Sequence, residues 1–456
     1  MLGPSALYPT ITLVVSLLAW CAITRLRIGA MLSPGSISIL ILASIFAVRP
    51  LFLLRDQNFD FYGYSVKEGF NSAALVGLMC VVCLIIGYIL GGSARKPDRR
   101  NHDPYRDLGF SKLILFSLGL TLFWLALMVY IGGGAEYIST LFAGRSEVNN
   151  AVQSGVPNVV AALPMAGALS LCFGRLKAER GRRLTAWEQV GYWTSVVAAS
   201  VPPTALGFRR FLLPTLLAVA IVAAAKHWRN RPRPYYIPLA LAAGLVLVSI
   251  PFVRSAGART SSSSFLGSLF EYLLSQGPTA ALQQFFVSYD TEMFNYVAKL
   301  QQDFDDGWPL GYGREIVGDT ILNPLPGSVS PILWSDEILT RLFGGPCGDP
   351  YCPVPSLPGV LFTDFWFYGV IVGSVLFGLL LRYLDNSVSV DPAAVSGAIM
   401  VFWALIPTFV RGNSVLFFYL FLQILLICLI AWTFAGARLT RQAMTSRSGT
   451  LEEIRC

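Results

Sequence analysis

Apolar residues in this chain come in long unbroken blocks, not in the alternation of a half-buried strand. Eleven blocks stand out, at 5–24, 34–54, 71–92, 110–131, 156–174, 189–207, 211–226, 236–253, 363–383, 393–410 and 415–434. Runs of about 20 apolar residues cross a hydrocarbon core about 30 Å thick as helices. Backbone in lipid must satisfy its own hydrogen bonds, so helix is the conformation expected of each. The pattern predicts an all-α polytopic membrane protein of about eleven transmembrane helices, with 1–456 as a single integral membrane domain. The connections are short except for 254–357, which opens on the polar "RSAGARTSSSS" and ends in segments broken by Gly and Pro. A long, partly helical loop between spans eight and nine is expected there, and such loops commonly carry function. No internal repeat is visible, which argues against a transporter built from two related halves.

Composition agrees with the blocks. Of the 456 residues 54% are hydrophobic and 13% charged, and the mean hydropathy is +0.60. Soluble domains carry about 25% charged residues, so a soluble fold is excluded. The N-terminus "MLGPSALYPT" has no basic segment before the first block, so that block reads as a permanent span and not a cleaved signal.

Charge then orients the bundle. With the C-terminus inside, the inside segments are 25–35, 93–112, 175–188, 226–235, 382–392 and 435–456. They carry 22 of the 34 Lys and Arg against 9 of the 26 Asp and Glu, a net of +13. The rest of the chain carries 12 and 17, a net of −5. Insertion selects basic cytoplasmic loops, so 254–357 is expected outside. The excess of positive charge is explained by insertion, and nucleic-acid binding is not expected from it.

This orientation isolates an unusual set of arginines. Arg145, Arg209, Arg210, Arg254, Arg259, Arg314 and Arg411 all fall outside, where insertion disfavours them. Arg209, Arg210, Arg254 and Arg411 directly abut span ends, at headgroup depth. One reading is that each snorkels to lipid phosphate or pairs with a loop carboxylate. A shared anionic ligand is the more economical account of the set, because a guanidinium makes forked contacts to phosphate or carboxylate oxygens. Both histidines, His102 and His227, fall on the inside, which leaves carboxylates for any external acid–base chemistry. The candidates are Glu147, Asp290, Glu292 and Asp364; Asp290 is the favoured base, and Asp364 is expected to cap the start of the ninth helix.

Other signals are weaker. Asp303 and Asp305 in "DFDD" have a metal-binding spacing, but such pairs arise easily in solvated loops, so no metal site is expected. Zinc-type clusters, phosphate-binding glycine loops and nucleophile elbows are absent from the sequence. Cys80 and Cys83 read as small buried thiols in an apolar helix. Cys347 and Cys352 are positioned for an external disulfide or two free thiols.

The succession "GRSEVNN", "GFRRFLLPTLL", "YDTEMFNYV", "FTDFWFYGVIVGSVLFGLLLRYLD" and "PTFVRGNSVLFFYLFLQILL" resembles the oligosaccharide repeat-unit polymerases, the Wzy-type O-antigen polymerases of bacterial inner membranes. Paired Arg-x10-Gly motifs found in some members are missing, since Arg254, Arg259 and Arg314 have no glycine at that spacing. The resemblance implies glycan transfer from an undecaprenyl-diphosphate-linked donor to a lipid-linked acceptor on the periplasmic face of the bilayer. It also implies a chain-length-regulating co-polymerase as partner and no cofactor. Two alternatives remain: an O-antigen ligase-like transferase, and a lipid-linked oligosaccharide flippase or exporter. A flippase would need charges along its spans, and the span interiors read as almost empty of ionisable groups.

Overall fold

The structure, a computed structural model, describes residues 4–25, 27–92, 109–131, 162–205, 209–228, 230, 274–275, 277, 283, 291–304, 308–322, 333–345, 353–388, 392, 395–412 and 414–436. Among these, every block expected to span the membrane coincides with a helix; the eighth, 236–253, lies outside them. The helices are α1 (Leu7–Thr24), α2 (Pro34–Asp56), α3 (Phe70–Leu90), α4 (Phe110–Ile131), α5 (Leu163–Gly181), α6 (Ala186–Ala205) and α7 (Arg209–Ala224). After them come α8 (Met293–Asp303), α9 (Trp334–Phe343), α10 (Ser356–Val388), α11 (Gly397–Arg411) and α12 (Ser414–Phe434). Six of the described helices are long and apolar enough to cross a membrane, and two shorter apolar ones accompany them. The count of eleven is therefore met only in part, while the all-α membrane class holds. The small sheet pairs Asp60–Phe61 with Tyr64–Ser65.

The loops that charge assigns to one side meet one another. The Gly29 amide donates to the Trp228 carbonyl at 3.0 Å, and Trp228 Nε1 donates to the Val388 carbonyl at 3.1 Å. Arg382 Nε donates to the Gly92 carbonyl at 2.8 Å, and the Gly109 amide to that of Ala435 at 2.8 Å. Sequence-distant segments with the basic bias thus form one end of the bundle.

Helices α3 and α10 run in parallel, with Cys80, Leu84 and Gly91 set in order against Ser374, Gly378 and Arg382. Glycines bring them together: a Cβ on Gly87 would fall on the Val375 carbonyl oxygen, and one on Gly378 on that of Leu84. Small residues that let backbones touch are a main source of helix association in lipid. Near the middle of the contact, Ser374 Oγ donates to Cys80 Sγ at 3.2 Å.

Two helices depart from regular geometry. In α2 the segment Ser44–Val48 is a π-helical turn, a rare feature that often marks functional positions. Phe46 in that turn fills the notch at Gly77, and Arg49 follows it into the protein interior. Helix α10 is broken at Phe365 (φ −142°, ψ 16°) and Trp366 (φ 58°, ψ −149°). A Cβ on Gly369 would fall on the Leu361 carbonyl oxygen, although a straight helix would hold these residues about 12 Å apart. The half-helix 356–364 therefore folds back along the first turns of the longer half. Carbonyls freed by the break are used: Gly311 and Tyr312 donate their amides to the Thr363 and Asp364 oxygens at 3.1 and 2.9 Å.

Candidate active site

At the end of the bundle that charge assigns to the outside, a polar core lies between α2, α8 and the end of α11. Arg49 is 4% exposed, inside an otherwise apolar span. Its Nε donates to Asn295 Oδ1 at 3.0 Å and its Nη1 to Thr291 Oγ1 at 2.8 Å. Beside it, Glu292 is equally buried and accepts a hydrogen bond from the Tyr62 hydroxyl at 2.7 Å. Glu292 lies within electrostatic reach of the Arg49 and Arg411 guanidiniums. Burial pushes its carboxyl up to about 7, and the Tyr62 hydrogen bond and the two arginines hold it from rising further. A carboxyl poised near neutrality can take or give a proton without a large driving force.

The local sequence explains this convergence. Helix α8 is amphipathic, yet its first eight residues, Met293 to Leu300, are all buried. Its apolar side meets α3, with the Phe294 and Phe70 rings 5.1 Å apart and Gly69 against the Ala298 carbonyl. Thr291, Glu292 and Asn295, the polar positions around its start, can then face only protein. Arg411 is the last residue of α11. Gly412 behind it takes φ 93°, and a Cβ there would fall on the Ser356 backbone. Only glycine fits that approach, so Arg411 is held against the start of the half-helix.

A second polar group lies nearby, around the break in α10. Asp364 is wholly buried and accepts the amides of Glu315 and Ile316, each at 3.1 Å. It thus caps the π-helical turn Arg314–Gly318; it does not cap the start of α10, which begins eight residues earlier, at Ser356. Asp319 accepts the amides of Trp334 and Ser335 at 2.8 Å and so caps α9. Glu315 is buried, accepts from Thr363 Oγ1 at 2.6 Å, and is pushed up to about 8 by burial, with Asp364 and Asp319 adding to the rise. Asp364 and Asp319 hold backbone in place and Glu315 holds a hydroxyl, whereas Glu292 is the carboxylate within reach of the Arg49 and Arg411 guanidiniums.

Among the residues expected from sequence, Arg411 joins Glu292. Arg314 stands apart, exposed, with its guanidinium 4.7 Å from the Trp334 ring centre. Arg209 and Arg210 open α7, with nothing described of their side chains. Arg145, Glu147, Arg254, Arg259, Asp290, Asp305, Cys347 and Cys352 lie outside the described residues. Asp303 is paired with Lys299 at 2.5 Å. Cys80 is buried and Cys83 partly so.

Arg49 was missing from the expected set, and the picture of span interiors almost empty of charge is corrected by it and by Asp385 in α10, both 5% exposed or less. A signal existed in the sequence, since an ionisable residue inside an apolar span is a functional candidate by default. Compared with family models, with curated proteins and with solved structures, the chain matches none.

Proposed function

We propose that the chain is an integral-membrane glycosyltransferase that polymerises undecaprenyl-diphosphate-linked repeat units on the periplasmic face of the bacterial inner membrane. The observation that carries this reading is a buried carboxyl held by the Tyr62 hydroxyl, within electrostatic reach of two guanidiniums, at the end of the bundle that the charge bias places outside. In the reaction a hydroxyl of the acceptor sugar attacks the anomeric carbon of the donor glycan. The new carbon–oxygen bond forms as the bond from that carbon to the diphosphate breaks, and its electron pair leaves with the lipid diphosphate. Glu292 takes the hydroxyl proton, and Tyr62 holds its carboxylate in place. Arg411 faces the charge that grows on the leaving phosphate, while Arg49, fixed by Asn295 and Thr291, stays within electrostatic reach of Glu292. Fixed cations in a water-poor site stabilise such charge far more than they would in bulk water.

The test is direct. Purified protein supplied with lipid-linked repeat units should build a ladder of longer glycans. A single transfer to lipid-A core would instead indicate a ligase, and translocation without new glycosidic bonds a flippase. Chelator should leave the ladder unchanged; loss of activity restored by magnesium or manganese would bring Asp303 and Asp305 into the mechanism.

A further inference from the structure

We infer that the start of the half-helix 356–364, together with Ser356 and Arg411, is a binding site for a phosphate group. It rests on the reading of Arg411 as an anion-facing residue and adds the elements that would hold the anion. The first N–H groups of a helix have no partner within it, and the helix dipole makes that end electropositive. Here the helix starts inside the protein, because α10 is broken and folded back on itself.

Ser356 supplies an independent observation. It is wholly buried, and its hydroxyl oxygen has no hydrogen-bond partner. Its backbone holds φ 65°, a left-handed conformation that a serine rarely keeps without a compensating contact. The hydroxyl lies over the first turn, 3.8 Å from where a Cβ on Gly359 would sit. A buried hydroxyl that bonds to nothing is uncommon and calls for a ligand or a cost.

The neighbours are donors as well. Gly412 rests on the Ser356 backbone and places Arg411 beside it, with part of the Arg411 surface still open. In the adjoining core, Asn295 gives its oxygen to Arg49, and its Nδ2 is left without an acceptor. A guanidinium, a hydroxyl and the start of the half-helix converge on one place, and none of them needs a proton from the ligand. A tetrahedral oxyanion with several acceptor oxygens satisfies all three at once. Carboxylate offers fewer oxygens, and a neutral sugar would leave the positive end of the helix uncompensated.

The experiment measures binding by the full-length protein in phosphatidylcholine nanodiscs, with inorganic pyrophosphate as the probe and Ser356→Gly as the variant. Glycine accepts φ 65° without strain, so the variant loses the hydroxyl while its backbone is relieved. Parent protein should bind pyrophosphate, and S356G should bind about ten- to a hundredfold more weakly, the loss expected for one hydrogen bond to a charged group. Its unfolding temperature should be equal or higher. In a second arm phosphatidylglycerol replaces part of the phosphatidylcholine. Stabilisation of the parent but not of S356G by that lipid, with no binding of pyrophosphate, would identify the ligand as a lipid headgroup phosphate. Equal affinity of parent and variant, or no response in either arm, overturns the inference. Binding that depends on Ser356 in a protein that builds no glycan ladder would remove the transferase reading and leave this site standing. A ladder made by S356G at the parental KM would do the reverse.

Discussion

Two carboxylates lie buried at opposite ends of the bundle, Glu292 at one and Asp385 at the other, and their surroundings differ. Asp385 accepts from the Ser33 hydroxyl at 3.0 Å, the Gly35 amide at 3.0 Å and the Tyr88 hydroxyl at 2.7 Å. Its donors come from the start of α2 and the end of α3, so the residue fastens three helices together. Glu292 has one hydroxyl donor and two guanidiniums in reach, while Asn295 and Ser356 beside them keep unused polar atoms. A cluster whose bonds are complete does the work of a fastener. Both clusters have a guanidinium in reach, Arg382 in the case of Asp385, so it is the spare donors that mark a cluster prepared for something the protein does not itself contain. Burial alone therefore does not separate a structural carboxylate from a reactive one; the balance of donors and acceptors does.

The strongest way to break this comparison is to remove the proton acceptor. Glu292→Gln keeps the shape and the contact to Tyr62 but cannot take a proton, so glycan elongation should fall about a hundred- to ten-thousandfold. In the parent the rate should rise with pH through about 7 and level off above it, because only the ionised carboxyl acts as base. A parental rate in the Gln variant would move the base to Asp290. Next in size, Arg411→Ala and Arg49→Met should each slow elongation about a hundred- to a thousandfold. Lysine at 411 should rescue poorly, since an ammonium lacks the fork. Arg49→Met should also move the midpoint of the remaining pH profile upward, because Arg49 is one of the groups that hold the Glu292 carboxyl down. An Arg411→Ala enzyme that makes ladders as fast as the parent would leave that residue a lipid anchor.

The opposite end should respond in stability and not in rate. Asp385→Ala leaves the Ser33 and Tyr88 hydroxyls and the Gly35 amide without their acceptor, at a cost of about 2–4 kcal/mol. Denaturation midpoints should fall accordingly, with elongation per folded molecule unchanged. Slower turnover at undiminished stability would erase the distinction between the two ends.

The two ends were also unequally legible in the sequence. Apolar blocks gave the helices, because length and composition suffice to specify a span. Charge bias grouped the loops that now meet through Gly29, Trp228, Val388 and Ala435. The site was harder to read. Arg49 disappears into the average hydropathy of its block, and the π-helical turn before it follows from the packing of Phe46 on Gly77, which no local motif encodes. The break in α10 falls at Phe365 and Trp366, with neither Pro nor Gly at the turn itself, so it reads as continuous helix. Glu292 was among the candidate carboxylates, but nothing in "SYDTEMF" says which acid faces the cations; that depends on how α8 docks against α3.

The smallest expected effect tests whether the carboxylates around the α10 break belong with the fastener or with the site. Glu315 is buried, holds the Thr363 hydroxyl, and has its carboxyl pushed up to about 8 by burial and by Asp364 and Asp319. In the unfolded chain the same group titrates near 4.5. Between these values the folded protein binds the additional proton, so its stability must decline as pH rises. The contribution is fully present below about 4.5, is lost as pH passes through 8, and stays lost above. Glu292 titrates lower, with its midpoint near 7, so Glu315 supplies the larger part of the change between pH 7 and pH 8. Across that interval unfolding free energy should fall by about 1 kcal/mol, since one pKa unit corresponds to about 1.4 kcal/mol. Glu315→Gln, which cannot ionise, should flatten this slope, while the rise of elongation rate through pH 7 remains. A variant that keeps the stability slope would assign that titration to another group, and one that loses the rate profile along with the slope would place Glu315 in the reacting core beside Glu292.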